Sequence, residues 1–234
     1  MKEEIKKEFK KYSSKGKATI RSRFFKTGRG EYGEGDIFIG ISIPNTKAIV
    51  KKYQKDISIR NTLLFLKNPI HEYRSFALGV LRYKYSKADK RGKKKIVDIY
   101  LENVEYINNW DLVDCSAPHI LGDYLLDKDR SVLYELAKSD HLWSQRISIL
   151  STFAFIRVND FKDTLKISKM LFNHKHDLMH KAVGWMLREV WKRDSDIVEK
   201  FIIENYKDIP RTTLRYAIER MEEEKRQRFL KGVF

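Results

Sequence analysis

The sequence is poor in cysteine and in long apolar runs, and each shortage excludes a class of protein. One cysteine, Cys115, in 234 residues excludes an intramolecular disulfide framework and a cysteine-rich zinc site. No run approaches the roughly 18 to 20 apolar residues of a membrane span, and the charged segment 1–17 lacks the apolar core of a signal peptide. These absences predict a cytoplasmic protein with no membrane partner.

Acidic residues are scarce relative to basic ones. The chain has 48 Lys and Arg against 32 Asp and Glu, a formal net charge of +16. Basic residues crowd the segment 2–26 and the run 90–95. Such an excess is unfavourable on a compact protein unless an anionic partner is attracted, and nucleic acid is the commonest such partner, followed by anionic membrane. We therefore expect contacts with phosphate groups.

Outside one glycine-rich segment, residues 28–40, the hydrophobic pattern is helical. Helices of about 10 to 17 residues, separated by brief breaks, account for most of the chain. Asn, Asp or Ser precedes many of them, as at 108–109, 139–140 and 159–160, which is typical of N-cap residues. Only residues 37–43, IFIGISI, alternate like a strand. Paired helices without strands between them predict an all-α fold, an α-solenoid of helical hairpins, with a compact irregular helical domain as the alternative.

Two short motifs resemble ligand sites but lack the context that such sites need. The spacing G-x-G-x-x-G at 28–33 follows a basic helical pattern rather than a strand, which favours a turn where Tyr32 and the backbone approach another group closely. His174, His176 and His180 have helical spacing, but no Glu or Cys beside them completes a zinc site. The better interpretation is that these histidines lie in solvent at the start of a helix. We expect neither a metal nor a cofactor.

The segment NNWDLVDCSAPHI carries the most chemistry. On a helix, Trp110 and Asp114 are four residues apart and share one face, and Asp111 lies three residues before Asp114. That face would present an indole beside a carboxylate. The alternative is that Trp110 belongs to the core and Asp114 caps a turn.

Two further helical patterns place a tryptophan three residues before an arginine. The pairs are Trp143 with Arg146 and Trp185 with Arg188. Trp143, like Trp191, fits an ordinary core position, because tryptophan is normally buried. Trp, Arg and Asp on successive hairpins would nevertheless converge on the concave surface with which a solenoid binds its partners.

These motifs together resemble one family. W-D-x-V-D at 110–114, K-A-x-G-W-x-L-R-E at 181–189, and GEYGEGDxFxG at 30–40 with the following Pro44 are similar to motifs of AlkD-like DNA alkylation repair proteins, which are HEAT-like-repeat DNA glycosylases. The resemblance implies a single HEAT-like-repeat domain over 1–234. Its antiparallel helical hairpins would form a curved solenoid with a concave basic face.

The resemblance also implies roles for individual residues. Asp114 matches the catalytic carboxylate, and Trp110 and Trp185 match the indoles that flank the damaged nucleotide. Arg146 and Arg188 match the residues that hold DNA near the lesion. The implied enzyme is a monomeric, monofunctional alkylpurine DNA glycosylase that acts on double-stranded DNA. It would excise N3-alkyladenine and N7-alkylguanine by hydrolysis of the N-glycosidic bond, without base flipping, strand cleavage or a cofactor.

Two other functions fit the same sequence. One is a non-catalytic HEAT-repeat DNA-binding protein that recognises unusual DNA structure, since some relatives lack the catalytic carboxylate and have lost base excision. The other is a helical-repeat scaffold for acidic proteins. This chain keeps Asp114, which favours the enzyme.

Overall fold

The computed structural model describes residues 1–234 and contains helices without strands. Sixteen α-helices run in order along the chain: α1 Lys2–Tyr12, α2 Lys15–Phe24, α3 Ile43–Tyr53, α4 Ile59–Leu66, α5 His71–Lys87, α6 Lys90–Glu102, α7 Trp110–Ser116, α8 Leu121–Tyr124, α9 Ser131–Lys138, α10 Leu142–Ser151, α11 Phe153–Ile156, α12 Lys162–Met170, α13 Asp177–Trp191, α14 Ser195–Glu204, α15 Arg211–Ala217 and α16 Glu223–Lys231. Short 3-10 turns cover Val104–Tyr106 and Ala117–His119. The all-α prediction is confirmed.

The chain forms two compact units, Met1–Ser116 and Ala117–Phe234. The single HEAT-like-repeat domain over 1–234 stays a prediction. No helix combines the length and the apolar character that a membrane span requires.

The first unit is organised around α5. Its apolar residues Phe76, Leu78, Val80 and Leu81 are fully buried, as their helical spacing predicts. Helix α4 forms a hairpin with α5 across a break that contains Pro69, and helices α3, α6 and α7 also pack on α5. The first turn of α5 therefore lies where it can meet both the glycine-rich segment and α7.

The second unit is organised around α13. Helices α10, α14 and α15 pack against it, and the approach of α15 is very close. A Cβ atom at Gly184 would lie 2.6 Å from the Thr213 carbonyl oxygen and 2.5 Å from Tyr216 Cβ. Only glycine permits that distance. The glycine of the K-A-x-G-W motif thus serves helix packing, next to the predicted site residue Trp185.

The strand-like segment 37–43 forms no strand. Ile37 forms one isolated parallel bridge to Ile70, and the next donors along the segment go to a side chain instead of a neighbouring strand. The Glu72 carboxylate accepts the backbone N–H groups of Ile39 at 3.1 Å, Gly40 at 2.9 Å and Ile41 at 3.2 Å. The left-handed φ of 79° at Gly40 turns the chain there.

Several predicted helix ends also differ from the structure. The predicted caps at 139–140 and 159–160 are wrong, because the N-cap residues are His141 and Phe161. The chain from Arg211 onward forms two helices, α15 and α16. The basic helical pattern before the glycine-rich segment is confirmed as α2.

Candidate functional site

Helix α7 carries the predicted indole and carboxylate. Its core side consists of Leu112 and Val113, which are fully buried. Trp110 and Asp114 are both half-buried, and their spacing of four residues places them on one face of the helix. The structure therefore brings Trp110 and Asp114 together at a partly open position and does not enclose either one in the core.

An aromatic stack supports Trp110. Phe25 lies nearly parallel to the indole, with ring centroids 5.2 Å apart and an interplanar angle of 12°. Phe25 also stacks on Phe38, at 4.9 Å and 23°. Phe24 meets the indole edge-on at 6.0 Å and is 63% exposed. The end of α2 and the glycine-rich segment thus fix the orientation of the indole.

A histidine between two carboxylates lies beside this stack. His71 Nδ1 is 2.9 Å from Asp36 Oδ2, and His71 Nε2 is 2.9 Å from Asp111 Oδ2. The side chains of Asp36 and His71 are each 1% exposed, and that of Asp111 is 27% exposed. We call these three residues the carboxylate–histidine clamp. The clamp joins the glycine-rich segment, the first turn of α5 and the first turn of α7.

Asp36 has further partners that lead to the start of α7. The Arg74 guanidinium donates to Asp36 Oδ1, and the side-chain amide of Asn109 donates to Asp36 Oδ2 at 3.2 Å. The Oδ1 atom of Asn109 accepts the backbone N–H of Trp110 at 2.9 Å. A buried carboxylate is costly unless it is paired and hydrogen-bonded, and Asp36 meets both conditions.

The two buried members of the clamp have shifted pKa values. Burial by itself lowers the pKa of His71, but the charge of Asp111 and the hydrogen bonds to Asp111 and Asp36 outweigh it, so the pKa lies above the ordinary value. For Asp36, burial raises the pKa, but the hydrogen bond from His71 and the charge of Arg74 outweigh burial, so the pKa lies below the ordinary value. Both shifts favour a charged ring beside a charged Asp36 carboxylate.

The other end of α7 is fixed by a buried hydroxyl pair. Tyr100 of α6 and Ser116 are 2.9 Å apart through their side-chain oxygens, and Ser116 Oγ also donates to the Leu112 carbonyl at 2.6 Å. Burial raises the pKa of Tyr100, which keeps its hydroxyl protonated. Helix α7 is thus anchored at both ends.

In the second unit, Trp185 is half-buried on α13. Its indole N–H donates to Glu189 Oε1 at 3.1 Å, and its ring is 6.0 Å from that of Phe153. Glu189 also pairs with Lys192 at 2.7 Å. Trp185 is therefore oriented mainly by a residue one turn along its own helix.

The two predicted DNA-binding arginines already have partners within the second unit. Arg188 pairs with Glu219, and its side chain is 17% exposed. Arg146 is only 5% exposed, and its guanidinium donates to the Leu178 carbonyl at 2.6 Å. Trp143 is 5% exposed, which agrees with its interpretation as a core residue. The contacts of Arg146 and Arg188 with DNA stay predictions.

Helix α2 presents a basic surface at the edge of the aromatic stack. None of its residues is buried, and Ile20 is 69% exposed. Its cationic side chains are those of Lys15, Lys17, Arg21 and Arg23. The turn after it approaches closely, because a Cβ atom at Gly33 would lie 2.3 Å from the Phe25 carbonyl oxygen. Tyr32, the other residue expected to make a close approach there, donates to the Phe24 carbonyl at 3.5 Å.

The three histidines at 174–180 make local hydrogen bonds. His176 Nδ1 accepts the N–H of Leu178 at 3.1 Å, and His180 Nε2 lies 2.5 Å from the His174 carbonyl oxygen. Nowhere in the chain do three His, Cys, Asp or Glu side chains gather where they could hold a metal ion.

Sequence reasoning missed Phe25, Asp36, His71 and Arg74. The pattern at 71–74, His-Glu-Tyr-Arg, was a usable signal, because it places three polar or charged residues directly before the apolar stretch 76–81 of the same helix. All three of those residues are buried. Asp36, the partner of His71 and Arg74, lies 35 residues before His71, and no local spacing connects it to them.

Comparisons with known proteins match the chain to one family and to a solved structure. The family model of the DNA alkylation repair enzymes matches residues 5–221. A solved structure described as a predicted DNA alkylation repair enzyme from Enterococcus faecalis superposes with a TM-score of 0.70 at 15% identity, covering 90% of this chain and 97% of the other. At that identity the structure supports the fold alone. No curated protein matches the chain. The match over 5–221 shows that the chain belongs to the DNA alkylation repair enzyme family.

Proposed function

We propose that the chain is a monofunctional alkylpurine DNA glycosylase that hydrolyses the N-glycosidic bond of N3-alkyladenine and N7-alkylguanine in duplex DNA. The observation that carries this proposal is the pairing of half-buried Trp110 and Asp114 on one face of α7. Family membership supplies the substrate class, alkylated DNA. The net charge of +16 suits a polyanionic partner.

The chemistry requires a carboxylate because the lesion is already activated. Alkylation at N3 of adenine or N7 of guanine makes the base cationic. When the bond from C1′ to the base nitrogen breaks, its electron pair neutralises the base, which leaves, and positive charge develops on the deoxyribose. Asp114 stabilises that charge and orients a water molecule, as carboxylates do in glycoside hydrolysis. The water oxygen bonds to C1′, and its proton passes to the carboxylate and then to solvent.

The two tryptophans add to this stabilisation. The faces of Trp110 and Trp185 attract a cationic centre, an interaction worth about 0.5 to 2 kcal/mol for each ring. The parallel packing of Phe25 against Trp110 holds the first indole in place without any rearrangement during the reaction. The enzyme grips the DNA backbone and leaves the base in the stack, so bulky adducts are accepted. No lysine acts as a nucleophile, and the strand stays intact.

Contacts with phosphate groups complete the proposal. Arg188 exchanges its pair with Glu219 for a phosphate oxygen, because that pair is reachable from solvent. Arg146 is too buried to leave its position, so it adds positive potential and holds the Leu178 carbonyl in the first turn of α13. The partner is double-stranded DNA, and the working form is a monomer.

The decisive experiment compares Asp114→Asn with the parental protein on a duplex that contains N7-methylguanine. We expect the single-turnover rate of base release to fall about 100-fold or more, with the affinity for the duplex within about threefold. The matched control is Asp98→Asn, which changes an exposed aspartate that pairs with Lys94 on α6 and keeps the parental rate.

The other outcomes are equally informative. If the parental protein binds the duplex and releases no base, the chain is the non-catalytic DNA-binding protein that the sequence also allows. If it shows no salt-dependent affinity for DNA, the result favours the helical-repeat scaffold for acidic proteins. Base release by Asp114→Asn at the parental rate removes Asp114 from the mechanism.

A further inference from the structure

The carboxylate–histidine clamp lies next to the proposed catalytic helix, and none of its members contacts the substrate in the mechanism above. We propose that His71 is a positioning residue: as an imidazolium that bridges Asp36 and Asp111, it fixes the first turn of α7 and thereby sets where Trp110 and Asp114 lie. This inference rests on the proposed function for its effect on catalysis. It stands on geometry that is independent of that function.

The geometry favours a ring that carries both protons. Each nitrogen of His71 is 2.9 Å from a carboxylate oxygen, on opposite sides of the ring. A neutral imidazole has only one N–H, so its other nitrogen would direct a lone pair at a carboxylate. The doubly protonated ring donates to both oxygens, and such charge-assisted bonds are the stronger kind.

Asp111 depends on this contact. Its Oδ2 atom is hydrogen-bonded to His71 Nε2. Its other oxygen, Oδ1, is buried without a hydrogen-bond partner. Asp111 is the second residue of α7, between Trp110 and the buried Leu112. Loss of the His71 proton therefore leaves a partly buried carboxylate facing a lone pair at the start of the catalytic helix.

The ring and the indole belong to the same stack. His71 lies on Phe38 at 4.5 Å and 23°, and Phe25 contacts both His71, at 5.0 Å, and Trp110. A movement of the His71 ring is thus transmitted to Trp110 by packing as well as by the Asp111 carboxylate.

Charged groups from α2, the glycine-rich segment, α5 and α7 meet around His71. They are Asp36 from the glycine-rich segment, Arg74 and Glu72 from α5, Arg21 from α2 and Asp111 from α7. Glu72 is neutralised separately, by three backbone N–H groups and by Arg21 at 3.9 Å. The remaining set has two anions, Asp36 and Asp111, and two cations only while His71 is protonated.

A dependence on pH follows, and its sign is fixed. The pKa of His71 is raised, so the clamp is intact at and below the ordinary value of about 6.5 and is lost as the pH rises through the raised value. We expect the single-turnover excision rate to fall at least threefold across that alkaline step, with little change in duplex affinity.

The test follows the His71 ring and the reaction together. The pKa of His71 is measured by NMR of ¹⁵N-labelled histidine, and the excision rate is measured over the same pH range. In Asp111→Asn, which removes one anion and keeps the shape, we expect both the His71 pKa and the alkaline fall in rate to move to lower pH by the same interval. His71→Gln, which keeps a single donor, should lose the step and work slowly at every pH.

The control separates positioning from general destabilisation. Ile49→Val removes one methylene group from a buried site on α3 and destabilises the first unit mildly. It should leave the rate profile unchanged. A His71 pKa at or below 6.5 in the parental protein would overturn the proposal, and so would an alkaline fall that stays in place in Asp111→Asn.

Failure of the proposed function is distinguishable from failure of the clamp. If the parental protein releases no base, the clamp is judged by ¹⁹F NMR of protein that contains 5-fluorotryptophan. Raising the pH through the His71 pKa should then shift the Trp110 resonance and leave the Trp185 resonance in place. If the Trp110 resonance does not shift when the pH rises through the His71 pKa, the positioning role is overturned, whether or not the protein acts on DNA.

Discussion

The two units hold their site tryptophans in different ways. Trp110 depends on residues far away in the chain, since its helix is tied through Asp111 to His71 and onward to Asp36. Trp185 depends on Glu189, four residues further along the same helix. The first arrangement exists only when the whole unit is folded, whereas the second forms with its own helix. Trp110 is therefore placed precisely only when the first unit is folded.

The histidines of the two units differ in the same way. In the first unit the clamp carboxylates raise the pKa of His71 despite its burial. In the second unit burial lowers the pKa values of His141, His174 and His176. The surroundings of His71 thus favour its charged form, whereas burial favours the neutral form of these three histidines.

The largest effect should come from buried arginines. Arg74→Met leaves the Asp36 carboxylate short of its cation in the interior, and we expect it to cost about 3 to 5 kcal/mol of unfolding free energy. Arg146→Met removes a donor to a backbone carbonyl and should cost about 1 to 3 kcal/mol. Urea unfolding measures both. A larger cost for Arg146→Met would reverse the comparison between the units.

A change of pH should change the stability of the two units in opposite directions. His71 contributes stability at low pH, and that contribution is lost as the pH rises through its raised pKa. His174 and His176 have lowered pKa values, so the stability of the second unit is lost as the pH falls from about 6.5 toward those values. Hydrogen exchange resolved by helix measures this. Parallel changes in α5 and α13 would contradict it.

The smallest effect should come from Glu189→Gln. The amide oxygen still accepts the indole N–H of Trp185, and what is lost is the pair with Lys192 and the longer contact with Arg188 Nε at 4.0 Å. We expect a change of less than about 0.5 kcal/mol in unfolding free energy and an unchanged tryptophan emission maximum. A loss above about 1 kcal/mol would show that the second unit also relies on buried charge.

Local patterns account for what the sequence predicted well. The helical class, the buried stripe of α5 and the shared face of Trp110 and Asp114 all follow from spacings of three or four residues. The strand-like alternation at 37–43 gives no strand because Glu72, more than 30 residues away, takes its donors. The clamp escaped detection for the same reason, since its members meet only in the folded unit.

The capture of three backbone donors by Glu72 has a consequence for solubility. Residues 37–43 are rich in isoleucine and alternate in the manner of segments that assemble edge to edge. In the folded chain a single carboxylate occupies the donors that another molecule would need. Glu72 in the first turn of α5 thus prevents residues 37–43 from pairing with another molecule. Once residues 37–43 are released from Glu72, self-association would begin there.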